Sequence, residues 1–138
     1  MKERKDVSQL EDYEIANLVN SILELKKKPS QIKNTGNFPS PKNRYDDYVY
    51  IHIINFGSRD PNSMVAHQRP TFTPWHRIYL ARFERELQNL DSEYKDVTIP
   101  YWDWTNPESN KKMWDKKLMG GSGCMVAVAS MTRVALGH

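Results

Sequence analysis

Cysteine is almost absent. Cys124 is the only one in 138 residues, which excludes a disulfide framework, a cysteine-built zinc site and a thiol-based mechanism. Long apolar runs are missing as well: no stretch approaches the roughly 20 apolar residues that a membrane span requires. The opening MKERKDVSQL is charged with no apolar run behind it, so no secretory signal is expected, and a soluble chain with the cytoplasm as its compartment follows. Neither sign of charge dominates, with 20 basic against 17 acidic residues. The basic excess sits in short runs such as Lys26, Lys27 and Lys28, which read as a solvated helix end complementing the macrodipole, so neither nucleic acid nor a membrane is an expected partner.

The residues present suit one small domain. A hydrophobic content of 38%, with four Trp, seven Tyr and four Phe, is enough for a modest core. Ile15, Leu18, Val19 and Ile22 fall at i, i+3, i+4 and i+7, which predicts a helix over about residues 11 to 27, closed by the lysine run and Pro29. A loop rich in Pro, Asn and Gly follows to Pro41. Asn43 can cap a second helix with Asp46 and Asp47 in its first turn, and Tyr45, Tyr48, Val49, His52 and Phe56 share one face. Ile51, Ile53 and Ile54 cover the remainder, so this helix is expected to be buried. A strand is the alternative, because Tyr48 to Ile54 is rich in β-formers; the flanking residues continue the helical period and favour helix.

Gly57 to Arg69 has loop composition and carries His67. A third helix is expected to open at Thr73-Pro74, a capping hydroxyl before proline, with His76, Leu80, Phe83, Leu87 and Leu90 inward and an Arg82–Glu86 pair outside. TIPYWDW (Thr98 to Trp104) is too short and proline-broken for a helix and reads as an extended aromatic segment. Asn110 to Leu118 is expected as one more short helix. The fold class is therefore all-α, with long loops and one extended stretch. Beyond Leu118 the composition changes to small and apolar residues with Arg133 as the single formal charge.

Each histidine taken alone has an ordinary explanation. His52 would be a core side chain with one hydrogen bond, His67 a solvated loop residue, His76 an inward-facing helical position. Together, two helical histidines and one from the intervening loop can meet as three neutral imidazoles around one metal, copper or zinc. No His-Glu-x-x-His pair or adjacent general-base carboxylate accompanies them.

His67, then FTPWHRIYLARFERELQ, then IPYWDW, resembles the first-copper region of the tyrosinase family of type 3 copper proteins. The eight residues between His67 and His76 match that pattern, and His52 matches the family's first histidine. RKDVSQLEDYEIANLVNSILELK is similar to the opening of bacterial members, and MWDKKLMGGSG to the segment past the aromatic stretch, so the resemblance covers about Arg4 to Gly123. It implies half of an antiparallel helical bundle in which His52, His67 and His76 bind one copper, with no catalytic residue beyond these ligands. Phe72 would pack beside the metal, Trp75, Tyr101, Trp102 and Trp104 would wall its pocket, and Asp103 would hydrogen-bond a neighbouring ligand or backbone group. Simple aromatic packing is the competing reading of the ring residues, and a surface carboxylate that of Asp103.

The family's reaction, oxidation of phenols or catechols to quinones with dioxygen, takes two coppers and six histidines. This sequence has four: His52, His67, His76 and His138. The resemblance thus implies a domain over residues 4 to 123 that holds one ion and an unlike tail over 124 to 138, most simply explained by truncation or a frame change near Gly123. An oxidase would need a second copper half, from elsewhere or from a second copy in an isologous dimer. Single-copper binding with little oxidase activity, and a metal-free helical module, are the two other readings. The thioether crosslink that some members make at this position is excluded, since no cysteine lies near His67.

Overall fold

The computed structural model describes residues 2–33, 35–36, 39–56, 67 and 70–120. The expected boundary near Gly123 and the tail beyond it lie outside the described residues. Among those described are four helices, α1 (Asp12–Lys27), α2 (Arg44–Phe56), α3 (Phe72–Gln88) and α4 (Pro107–Met113), with two 3-10 turns, two isolated β-bridges and no sheet. This is the all-α class expected. The chain divides into two compact units, one of Ala16–Ile99 with residues 2 and 3, the other of Arg4–Ile15 with the described residues from Pro100 onward.

In the first unit, the apolar stripe of α1 places Leu18 and Leu25 in the core with Ser21, whose hydroxyl donates to the Leu18 carbonyl. Lys26 lies over the Tyr45 ring, 4.7 Å from its centroid, so one residue of the lysine run also covers aromatic surface. The Asn43 side chain accepts from the Asp46 N–H at 3.0 Å, capping α2 as the sequence predicts. Helix wins over strand here because the 3.6-residue period runs through the whole segment.

Three expectations for these helices are corrected. α2 is not buried all round: Asp47 and Tyr48 are buried, whereas Val49, Ile53 and Phe56 are exposed, since an apolar residue on every face of a helix needs neighbours on every side. α3 starts at Phe72 rather than after Thr73, with Thr71 in the N-cap position making no side-chain cap bond and Pro74 inside the first turn. Proline is tolerated there because the first four N–H groups of a helix have no intrahelical partner. Glu86 does not pair with Arg82; both of its oxygens accept from Arg44 on α2, at 2.9 and 3.1 Å. A planar guanidinium matches a carboxylate in two places, which a same-helix pair at i and i+4 does not offer as well.

Arg44 also donates to Asp47 at 2.9 Å, and Asp47, fully buried, accepts from the Ser30 hydroxyl and the Gln31 N–H besides. Tyr48 donates to Glu86 at 3.2 Å, which completes a polar clamp across α2 and α3. Leu87 is fully buried beside it on α3, and buried Glu84 accepts from the Ile99 N–H at 2.9 Å, fixing the start of the extended segment.

In the second unit, Tyr101 forms a parallel bridge with Asp6, through Val7 N–H to Tyr101 carbonyl at 2.9 Å and Tyr101 N–H to Lys5 carbonyl at 3.0 Å. Buried Asp6 accepts from Ser8, from the Ser109 hydroxyl and from the Asp103 N–H. α4 begins three residues before the expected Asn110, because Asn106 caps the Glu108 N–H and Pro107 takes the first helical position.

Candidate metal centre

His52 stands in the third turn of α2, His76 in the second turn of α3, and His67 comes from the intervening loop. Their ring nitrogens lie within 4.8 Å of one another, and none of the three residues is fully exposed. The ring centroids form a triangle with sides of 5.1 Å (His52–His67), 4.9 Å (His67–His76) and 5.7 Å (His52–His76). Three nitrogens each about 2.0 Å from one ion would stand roughly 3.3–3.5 Å apart, so closure of at most about 1.5 Å is needed.

Two local interactions prepare the donors. His76 Nδ1 is 2.8 Å from the Phe72 carbonyl one turn back. A carbonyl oxygen only accepts, so Nδ1 carries the proton and Nε2 keeps its lone pair for a metal. His67 Nδ1 is buried and has no hydrogen-bond partner among the described residues, an orphan of the kind that an absent ligand explains. Burial first, and the neighbouring His76 and His52 after it, lower the His67 pKa and favour its neutral, ligating form.

The surround is aromatic. Phe56 meets the His67 ring edge-on at 4.6 Å, Phe72 lies 4.4 Å from His76 and 5.5 Å from His67, and Trp75 lies 4.8 Å from His76 and 6.0 Å from His52. Tyr79 stacks on Trp75 at 5.0 Å with the ring planes 13° apart, and sits 5.9 Å from His52. Three imidazoles with no carboxylate beside them among the described residues, and an aromatic wall, suit copper or zinc rather than a hard oxygen-seeking cation.

Phe72 and Trp75 thus lie beside the histidines. Asp103 belongs to the second unit, where its carboxylate accepts from the backbone N–H and the hydroxyl of Thr105. Tyr101, Trp102 and Trp104 belong there too; Trp102 donates to Asn110 at 2.9 Å and meets Trp114 edge-on. Phe56, expected only as a face-mate of His52, and Tyr79, for which the sequence raises no expectation, are further contacts of the site. Their spacing, four residues after His52 and three after His76, is the signal that places each on the same helix face as a histidine.

The family model for the common central domain of tyrosinase matches residues 42–135, more than half of the chain. The match includes the stretch after Gly123 where the composition changes. The chain is 34% identical over 125 residues to the tyrosinase of Streptomyces glaucescens, covering 89% of this chain and 39% of that protein. It is 35% identical over 125 residues to the tyrosinase of Streptomyces antibioticus, with 89% and 40% covered. The tyrosinase of Bos taurus is 40% identical over 86 residues, 56% of this chain and 16% of that protein. The chain therefore spans about two fifths of the length of these Streptomyces relatives. The three histidines that converge from α2, the loop and α3 all fall inside the matched region, and this chain belongs to the tyrosinase family, whose members use copper.

Proposed function

We propose that the chain binds one copper ion through His52, His67 and His76 and supplies one half of a tyrosinase-type oxidase site. The observation that carries this reading is the convergence of three imidazoles, one of which, His67, has a buried Nδ1 with no partner among the described residues. Copper in such a site supplies the redox chemistry with dioxygen by which phenols or catechols become quinones. The chain's own part is to hold the donors neutral and aimed. The Phe72 carbonyl fixes the His76 tautomer, burial favours the neutral form of His67, and Phe56, Phe72 and Trp75 pack against the imidazole rings. The full family reaction takes two ions and six histidines, whereas these 138 residues hold four. A second copper half, from another polypeptide segment or a second copy of this chain, is therefore required for oxidase activity, and phenolic substrate and dioxygen are its partners.

Calorimetric titration of the folded protein with copper tests the binding. About one ion per chain is expected, with binding lost in His76→Ala. No uptake by folded wild-type protein, or full uptake by the variant, would overturn the assignment. Adding catechol over a range of protein concentrations tests the shared site: quinone formation above free copper that rises with protein concentration supports assembly from two copies.

A further inference from the structure

Tyr79 does something that packing alone does not require. It lies three residues after His76, on the face of α3 that meets α2, and its hydroxyl donates to the Tyr48 backbone carbonyl at 2.8 Å. Tyr48 is four residues before His52, so that carbonyl is the helical acceptor for the His52 N–H itself. The Tyr79 ring is held by its stack on Trp75, which touches both His76 and His52, and Tyr79 also faces the His52 ring. One side chain therefore ties the backbone directly beneath one candidate ligand to the helix that carries another. The Arg44–Glu86 clamp, by contrast, acts two helical turns from His52, about 12 Å along α2.

We propose that the Tyr79 hydroxyl is a positioning group for the metal centre, locking the register of α2 against α3 so that the His52 and His76 rings stand at the separation one ion needs. The inference rests on the copper-binding reading for its purpose, but its geometric content concerns the metal-free chain. Groups that support a metal ligand typically hydrogen-bond its ring directly. Tyr79 acts through the main chain below it, which makes the hydroxyl rather than the ring the decisive part.

The matched test compares Tyr79→Phe with Tyr48→Phe. Each removes one hydroxyl from the same helix interface; Phe at 79 keeps the stack on Trp75, and Phe at 48 keeps the backbone carbonyl. Three quantities are read: copper affinity by chelator competition, the electron paramagnetic resonance spectrum of the Cu(II)-loaded protein, and the cross-relaxation between His52 and His76 ring protons in the metal-free protein. In Tyr79→Phe copper affinity is expected to fall about tenfold, the spectrum to change and the ring cross-relaxation to weaken. Tyr48→Phe should match wild type in all three, even where thermal unfolding shows it to be less stable. Wild-type affinity, spectrum and cross-relaxation in Tyr79→Phe would overturn the proposal, as would equal losses in both variants, which would mark general loosening of the interface. If wild type binds no copper, the copper reading fails by itself, and the metal-free cross-relaxation still decides whether Tyr79 positions the rings.

Discussion

The two ends of the α2–α3 pair are built on opposite principles. At the start of α2 and the end of α3, a set of polar side chains is mutually satisfied: Arg44 bridges Asp47 and Glu86, Asp47 takes two further donors, and Tyr48 donates to Glu86. At the other end, the end of α2 and the start of α3, three imidazoles crowd together, one has an orphaned nitrogen, and Val49, Ile53, Phe56, Phe72 and Ile78 are exposed. The first end stabilises the pair. The second is left unsatisfied, which is the state expected of a place where something binds. On the proposed copper-binding reading, stability and metal binding are separated along one pair of helices, with Tyr79 at the join.

Breaking the binding end should cost affinity without costing fold. In His67→Leu, copper affinity is expected to fall by more than about 100-fold, while the metal-free protein is expected to be no less stable than wild type, because a buried unpaired polar atom is removed. Titration and thermal unfolding of the same sample check both halves. A variant that loses stability as well as copper would show that His67 packs the fold, and the separation would fail.

Breaking the clamped end should do the reverse. Arg44→Met removes the partner of two carboxylates, one of them fully buried, and is expected to lower stability by about 2–3 kcal/mol in urea unfolding. Copper affinity should hold as long as the variant is folded. A tenfold loss of affinity would mean that the clamp, rather than Tyr79, sets the histidines.

Acid acts on the same end. Hydrogen bonding from Arg44 first, against an opposing burial effect, lowers the Glu86 pKa. For Asp47, burial alone would raise the pKa, but the bonds from Ser30, Gln31 and Arg44 outweigh it and lower it. A carboxyl lowered in the folded state adds stability above its unfolded pKa and loses it as pH falls through the folded one. Stability is therefore expected to decline below about pH 4, where free carboxyls take up protons. In Arg44→Met that acid-dependent decline should be shallower. The smallest effect belongs to the helix start: Asn43→Ala removes the cap on Asp46 and should cost about 1 kcal/mol, with copper affinity unchanged.

Helix existence was legible because period and punctuation agreed. α1 was readable from Ile15, Leu18 and Ile22, and the start of α2 from Asn43, since both depend on residues a few positions apart. Helix starts were read less well where two signals competed. Thr73-Pro74 has the form of a cap and first position, yet proline fits anywhere in the first turn; at α4 the Asn106-Pro107 pair is the true cap and start, ahead of the Asn110 that the sequence predicts. For Glu86 the sequence predicts a partner on its own helix, because only a same-helix neighbour follows from spacing along the chain. Its actual partner lies 42 residues away.

The sequence by itself determined the helices, the three histidines and the family pattern that joins them, because spacing along a chain fixes which side chains share a helix face. Tertiary structure decided how close the imidazoles come, that His67 Nδ1 has no described partner, and that Arg44 and Tyr79 couple α2 to α3. Those facts depend on contacts between segments far apart in the chain, and no local period encodes the distance at which two helices pack.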